Sequence, residues 1–456
     1  MYFKQIRLVD MGCASYLIGS EQNREAVVID PGWNVEEYLK EAEANGLKIT
    51  RIFETHLHAD HVSGNRRLAQ LTGATIYLHK LANAAYPYQP VEGGSVITFG
   101  EVKIKVLSTP GHTWESITLL VDDLANPAQP AKLLSGDTLF IGDVGRPDFA
   151  GQEGAGTLFD SLQREILPLP DTTEVYPGHL AGSLCGRSMS AAPSSLLGVE
   201  KTTNPALQFF DRAAFVNFLT ADLPPTPPDF RRIVELNRAG APVKQAPLPE
   251  LEWDELQARL AAGAQLIDAR EPDEFWSGHL SGSLSVPPGL GQFGANVALF
   301  VPPEKPVVLV VNTAQEALQV QISLGVVGRY NLAGFVVFSK VAGLTGSLAQ
   351  DRRIEARDFA SQLENTASAP LVLDVRDPSE YKVDGLRGAL NIPARQLPRR
   401  LAELETSKDR PLVVLCAAGN RSSLATSYLL SQGWEKALNL RGGMDALKAL
   451  VPAGQR

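Results

Sequence analysis

The chain has 456 residues, of which 44% are hydrophobic and 20% charged, and its net charge is −9. That length exceeds one ordinary core and predicts about three domains of a globular protein, while the acidic balance excludes broad nucleic-acid binding, which leaves a basic footprint. No apolar run approaches the roughly 20 residues that span a bilayer, the first ten residues lack a secretion-signal layout, and Cys13, Cys185 and Cys416 lie too far apart for a disulfide framework. The compartment expected is the reducing cytoplasm. In chain order, residues 1–200 alternate short β-type runs with turns rich in Gly, Asp and Pro. Ser15–Ile18, Ala26–Ile29, Ile49–Glu54 and Ala74–Leu78 read as strands, with a helical stretch over Gly64–Leu71. Val102–Leu107, Ile117–Val121, Lys132–Leu134 and Glu174–Tyr176 read as further strands. Leu207–Leu219 is amphipathic, and prolines forbid a helix over Leu223–Asp229. Residues 201–243 therefore read as an extension of the first domain followed by a linker.

Five of seven histidines fall just after these strands: His56, His58 and His61 in Thr55-His-Leu-His-Ala-Asp-His61, His112 after Gly111, and His179 after Gly178. Asp60 lies inside the first cluster and Asp137 follows Gly136. Imidazoles and carboxylates brought together from four stretches of chain make a first-row transition-metal site, and both a mononuclear Fe(II) centre and a dinuclear Zn centre are chemically reasonable. The pattern resembles the metallo-β-lactamase superfamily, whose fold is an αββα sandwich. Phe140-Ile-Gly-Asp-Val-Gly-Arg146-Pro-Asp148-Phe149 is similar to the Gly-Arg-x-Asp-Phe segment of the persulfide dioxygenases in that superfamily. This resemblance implies one Fe(II) held by His56, His112 and Asp137. His58, Asp60, His61 and His179 would then orient those ligands or, alternatively, hold a second metal. Arg146 is a candidate for binding a carboxylate of the thiol carrier, with an Arg146–Asp148 ion pair as the plainer alternative. Cys185, in Gly182-Ser-Leu-Cys-Gly186, resembles a substrate-side cysteine of fused persulfide dioxygenases. Cys13 reads as a core residue, Trp114 as packing, and His79 and His279 as structural.

An internal repeat follows. Leu266-Ile-Asp-Ala-Arg-Glu-Pro-Asp-Glu-Phe275 matches Leu373-Asp-Val-Arg-Asp-Pro-Ser-Glu-Tyr381, and each copy continues with an apolar strand, Val307–Val311 or Leu412–Leu415. Alternating strands and helices predict two small, largely parallel α/β domains. In the second copy Cys416 opens the run Ala417, Ala418, Gly419, Asn420, Arg421, Ser422 ahead of a helix. Successive N–H groups of such a loop cradle an anion, and a thiol at its base is expected to be a thiolate at neutral pH. This segment resembles the rhodanese sulfurtransferases, which implies a catalytic Cys416 with Arg421. The four residues between Cys416 and Arg421 make a tighter loop than that of cysteine phosphatases, suited to one sulfur atom. The first copy has Asn312-Thr-Ala-Gln-Glu at the loop position, with neither nucleophile nor arginine, and reads as catalytically silent.

The expected architecture is an α/β and α+β multidomain chain: an αββα metallo-β-lactamase sandwich with its extension and linker over 1–245, a silent rhodanese-like α/β domain over 246–345, and an active one over 346–456. The expected enzyme oxidises low-molecular-weight thiol persulfides with O₂ to sulfite on one Fe(II). It then passes sulfur from a Cys416 persulfide to sulfite, giving thiosulfate in sulfide detoxification. The alternatives are a thioester hydrolase of glyoxalase II type with two Zn, and a rhodanese-based sulfur sensor. Neither nucleic acid nor membrane is an expected partner, and assembly as a homo-oligomer stays open.

Overall fold

A computed structural model describes the chain apart from residues 9–11, 148–150, 182–185, 187–188, 222, 224–225, 228, 289–292, 347, 350, 365–369 and 452–456. It divides into two compact units: Met1–Gln245 with Gly325–Gly328, and Ala246–Leu324 with Arg329–Arg456.

In the first unit, β-branched and aromatic residues in short alternating runs build two six-stranded sheets. One runs Tyr2–Leu8, Cys13–Gly19, Glu25–Ile29, Lys48–Phe53, Thr75–His79, Gln89–Val91 in spatial order. The other runs Ser195–Leu196, Glu174–Pro177, Lys132–Gly136, Ile117–Asp123, Val102–Ser108, Val96–Phe99. Because side chains alternate faces along a strand, Leu17, Val28 and Ile52 join a core with Tyr38 and Leu68 of the helices Glu36–Ala44 and Asn65–Thr72. Their neighbours Tyr16, Ile18, Val27, Ile29 and Phe53 face the other sheet, against Val102, Ile104, Ile117 and Leu119. Leu133 and Val175 turn outward onto Leu158, Leu162 and Phe215. Helix, sheet, sheet and helix are thus stacked as an αββα sandwich with three apolar layers between them.

Residues 201–243, expected to be an extension of the first domain and then a linker, carry the helices Arg212–Thr220 and Phe230–Ala239. Buried Phe230, Ile233 and Asn237 make Phe230–Ala239 part of the unit.

The second unit holds two parallel sheets, one per sequence repeat. The first has the order Leu284–Ser285, Gln265–Asp268, Val307–Val311, Leu332–Val337. The second has Arg353–Ile354, Ala437–Leu440, Leu412–Leu415, Leu371–Asp374, Leu390–Asn391. Every residue of Val307–Val311 and of Leu412–Leu415 is buried, as central parallel strands require. The repeated Asp-x-Arg makes the same fork twice: Arg270 Nε and Nη2 lie 2.9 and 2.7 Å from the Asp268 carboxylate, and Arg376 lies 3.1 and 2.7 Å from Asp374. The repeated acid-Pro-x-Glu is a capping box, Glu271 with Glu274 and Asp377 with Glu380. Trp276 Nε1 donates to Ser423 Oγ at 2.8 Å and Ser285 N to Ser427 Oγ at 3.0 Å, so the first repeat buttresses the helix Asn420–Ser431 of the second.

His279 is structural, stacked on Phe275 with ring centroids 3.8 Å apart and 5% exposed. Burial holds its imidazole down at about 4. The neutral ring is favoured in the folded state, so its contribution is whole above pH ~6.5 and lost as pH falls toward 4. We expect chemical denaturation to report about 2–3 kcal/mol less stability for this unit at pH 4 than at pH 7 from this group. His279→Gln should flatten that part of the profile.

Candidate functional site

The strand Lys48–Phe53 ends directly in the loop of His56, His58, Asp60 and His61. His112 lies in the turn between Val102–Ser108 and Ile117–Asp123, Asp137 just past Lys132–Gly136, and His179 just past Glu174–Pro177. Rigid strands therefore deliver all of them to one rim, where each is at most 6% exposed.

They form three groups. In the first, His56 Nε2 and His112 Nε2 face Asp137 Oδ2 at 3.9 and 3.5 Å. The other nitrogen of each ring is engaged: His112 Nδ1 donates to the Arg146 carbonyl at 2.8 Å, and His56 Nδ1 to Thr55 Oγ1 at 3.0 Å. Thr55 Oγ1 in turn donates to Asp30 Oδ2 at 2.8 Å. These bonds fix the tautomers and leave both Nε2 lone pairs pointing inward. Burial, then the neighbouring His58, push His56 well below the usual imidazole range, which keeps it a neutral ligand. Asp137 Oδ2 is buried without a hydrogen bond. Burial would raise the Asp137 carboxyl, but His179 and His56 outweigh it and hold it ionised. A buried carboxylate oxygen facing two imidazole nitrogens is a donor set that fits a metal ion. The close approach depends on Gly145, where any Cβ would sit 1.8 Å from the Asp137 carbonyl oxygen.

The second group is Asp60, His61, His179 and Cys13. His179 Nδ1 lies 2.6 Å from Asp137 Oδ1 and its Nε2 2.9 Å from Asp60 Oδ2, so this ring ties the two groups together. Cys13 Sγ is 3.1 Å from Asp60 Oδ2 and 3.7 Å from His61 Nδ1. Burial and Asp60 push the Cys13 thiol well up. Cys13 is buried as expected, yet it sits among site residues rather than in an apolar core. The third group pairs His58 with two carboxylates: its Nε2 is 3.2 Å from both Asp30 Oδ1 and Glu54 Oε2, while its ring centroid stays 4.2 Å from that of His56 and 4.3 Å from that of His61. Burial opposes the His58 charge, but the two carboxylates prevail and lift it well above its ordinary range. Neither Asp30 nor Glu54 carries a motif that singles it out.

Asn237 is a second residue without a sequence signal. Its Nδ2 donates to the His58 and His61 carbonyls at 2.8 and 2.9 Å, and its Oδ1 accepts from Ser63 N at 2.9 Å. It therefore pins the histidine loop from 176 residues away. Asn237→Ala leaves three buried backbone groups unpaired, and urea unfolding should show a loss of about 2–3 kcal/mol.

Arg146 is 4% exposed, and its carbonyl orients His112. Trp114, expected to serve packing, is 42% exposed. Cys185 and Asp148 lie outside the described residues.

In the second unit, Cys416 ends the buried strand Leu412–Leu415 and is itself 2% exposed. Gly419 N donates to its Sγ at 3.1 Å and Ser422 Oγ at 3.4 Å, the polarity that an anionic sulfur needs. Gly419 has φ 101°, a conformation that folds its N–H back onto the sulfur. Arg421 forks onto Glu380 at 2.6 and 2.8 Å, so the glutamate of the capping box also orients the arginine of the loop. At the corresponding place in the first repeat Asn312 Nδ2 meets Glu274 at 3.1 Å, and no thiol is present.

A buried histidine–aspartate cluster at the rim of an αββα sandwich, followed by two parallel α/β repeats, defines the class: a fold with a candidate metal site joined to two small α/β domains. Family models agree: Metallo-beta-lactamase superfamily matches residues 8–124, and Rhodanese-like domain matches 252–349 and 355–450. The hydroxyacylglutathione hydrolase of Polaromonas sp. strain JS666 is 36% identical over 201 residues, 42% of this chain and 73% of that protein. The mitochondrial persulfide dioxygenase ETHE1 of Homo sapiens is 32% identical over 199 residues, 42% of this chain and 70% of that protein. A metallo-β-lactamase structure from Staphylococcus aureus subsp. aureus COL superposes with TM-score 0.66 at 32% identity, covering 74% of this chain and 98% of that one. The chain belongs to the metallo-β-lactamase superfamily and carries two rhodanese-like domains. No helix among the described residues is long and apolar enough to cross a membrane.

Proposed function

We propose that residues 1–245 are a non-haem Fe(II) persulfide dioxygenase, 246–345 a silent rhodanese-like domain, and 346–456 a sulfurtransferase acting through Cys416. The observation that carries the metal half is the unpaired Asp137 Oδ2 facing two Nε2 atoms, while His58 is turned to Asp30 and Glu54. Three ligands suit a mononuclear centre with positions left open for exogenous groups. Bound there, Fe(II) would share electrons with O₂, which redox-silent Zn²⁺ cannot do. Thr55 and the Arg146 carbonyl hold the two imidazoles by Nδ1, and His179 holds Asp137 by Oδ1, so the donors are set before any ligand arrives. The overall reaction takes RSSH, O₂ and water to RSH, sulfite and two protons, with the terminal sulfur giving four electrons to O₂. In the other half the Cys416 thiolate accepts a sulfane sulfur. Sulfite then attacks the outer sulfur of the Cys416 persulfide, thiosulfate leaves, and the thiolate is regenerated. Persulfides, O₂ and sulfite are the ligands on this reading. Sulfur as a shared substrate explains the fusion, since a tethered acceptor sees a raised local sulfite concentration.

The second reading is a dinuclear Zn thioester hydrolase. It is favoured by the gathering of Asp60, His61, His179 and Cys13 beside the first group, and by hydrolase relatives of comparable identity. Anaerobic reconstitution with Fe(II), metal analysis and oxygen uptake with a panel of persulfides separate the two. The expected outcome is about one iron per chain and O₂ consumption matched to sulfite. Full thioester turnover by a two-zinc form under argon would sink the dioxygenase reading.

A further inference from the structure

The helix Asn420–Ser431, which follows the Cys416 loop, turns three faces to three surroundings. Ser422, on its first turn, donates to Cys416 Sγ at 3.4 Å. Ala425 and Leu429 pack into the core of their own repeat, with Leu373, Leu412 and Trp434. Ser423, Leu424, Ser427 and Tyr428 meet the silent repeat, since residues four apart lie on one side of a helix. Leu424 joins the silent repeat's core with Ile267, Val297 and Leu309, and the Tyr428 ring lies 5.0 Å from that of Phe300.

Ser422, Ser423, Thr426 and Ser427 are all buried in this helix. Alanine or leucine would be a better helix former at such positions and would bury no polar atom. A buried hydroxyl needs a partner, and Ser423 and Ser427 find theirs in the silent repeat. Trp276 Nε1 donates to Ser423 Oγ at 2.8 Å, Ser285 Oγ lies 2.9 Å from the same oxygen, and Ser285 N donates to Ser427 Oγ at 3.0 Å. Trp276 and Ser285 are themselves fully buried. The two copies of the repeat differ at both positions. Trp276 stands where the second copy has Lys382. Ser285, beside Asp268 in its sheet, stands where the second copy has Asn391 beside Asp374. The copy without a thiol thus carries the two residues that grip the helix of the copy with one.

We propose that Trp276 and Ser285 are positioning residues for the sulfur-transfer loop. Through Ser423 and Ser427 they set the rotation and axial position of the helix Asn420–Ser431, and with it the aim of Ser422 Oγ and Gly419 N–H on Cys416 Sγ. The inference rests on Cys416 being the sulfur carrier. The lever is short: Ser423 adjoins Ser422, and Ser423 N donates to the Gly419 carbonyl at 3.0 Å. A roll or slide of the helix therefore moves both donors to the sulfur at once. Hydrogen bonds weaken steeply as they lose alignment, and these two serve the anionic sulfur that acts as nucleophile. The silent repeat can do this without a nucleophile of its own.

The test uses the full chain and follows alkylation of Cys416 by iodoacetamide, read by mass spectrometry of its peptide, beside thiosulfate–cyanide turnover. Trp276→Phe keeps an aromatic ring and removes the N–H. It should slow alkylation about fivefold at pH 7, while near pH ~10, where the thiolate forms without help, the rates should converge on the wild type. kcat should fall about fivefold with KM for thiosulfate unchanged. Ser423→Ala should give the same loss, and the double variant should be no slower than either single one, because both changes break one contact. Val308→Ala lightens the core on the opposite face of the silent sheet and should leave the pH 7 rate as it is. A rate unmoved by Trp276→Phe and Ser423→Ala overturns the proposal. So does a loss that persists near pH ~10, a double variant whose losses multiply, or an equal loss in Val308→Ala. A wild type that takes no sulfur from thiosulfate onto Cys416 overturns the sulfur-carrier reading itself and this inference with it.

Discussion

Cys416→Ser should leave sulfite production intact and abolish thiosulfate formation. The serine hydroxyl keeps the size of the thiol and can still accept from Gly419 N and Ser422 Oγ, which lie 3.1 and 3.4 Å from the sulfur. It cannot form the S–S bond that carries the transferred atom. Covalent transfer has no partial form without its nucleophile, so the loss in a thiosulfate–cyanide assay should be on the order of 10⁴-fold or more. The proposed iron centre lies in the other compact unit and shares no residue with this loop. Oxygen uptake with a persulfide should therefore match the wild type, with free sulfite accumulating in place of thiosulfate. Unaltered thiosulfate output would remove Cys416 from the chemistry. A parallel loss of oxygen uptake would instead mean that the two halves do not act separately.

What could be read from the sequence is what is local in the chain. Thr55–His61 follows a strand by one or two residues, so its ligand chemistry is written in a single loop. The repeated Asp-x-Arg-acid-Pro-x-Glu is equally local; the resemblances carried by the histidine–aspartate pattern and by this repeat with the Cys416 loop implied the αββα and rhodanese-like folds. The unread parts come from long-range pairing. Cys13 joins Asp60, His61 and His179 because the start of its strand bridges to His179, with Ala14 N on the Gly178 carbonyl and Leu180 N on the Gly12 carbonyl. No local pattern announces a contact between residues so far apart. Asp30 and Glu54 look like ordinary strand ends until parallel pairing sets their strands side by side and draws His58 to both. Asn237 was hidden by the prolines before it, which suggested a linker. Glu380 was legible as part of the repeated motif, while its roles in the capping box and on Arg421, 41 residues away, needed the folded chain.

Asp137→Asn should empty the proposed iron site with little effect on folding. The amide keeps the shape of the carboxylate and can still present an oxygen to His179 Nδ1, now 2.6 Å from Oδ1. What changes is the atom that faces His56 and His112. In the native chain that atom is a buried, unpaired oxygen of an ionised group. In the variant it is an NH₂, which carries no charge and donates to the Nε2 lone pairs that a metal would need. Two neutral imidazoles alone hold a divalent ion far more weakly than two with a carboxylate, so iron after anaerobic reconstitution should fall from about one to below about 0.1 per chain. Oxygen uptake should fall on the order of 10³-fold or more with it. Cys416 should still load sulfur from thiosulfate, which separates loss of the centre from loss of the fold. Retention of a full iron equivalent would place the ion elsewhere, with Asp60, His61, His179 and Cys13, or Asp30, Glu54 and His58, as the remaining groups among the described residues.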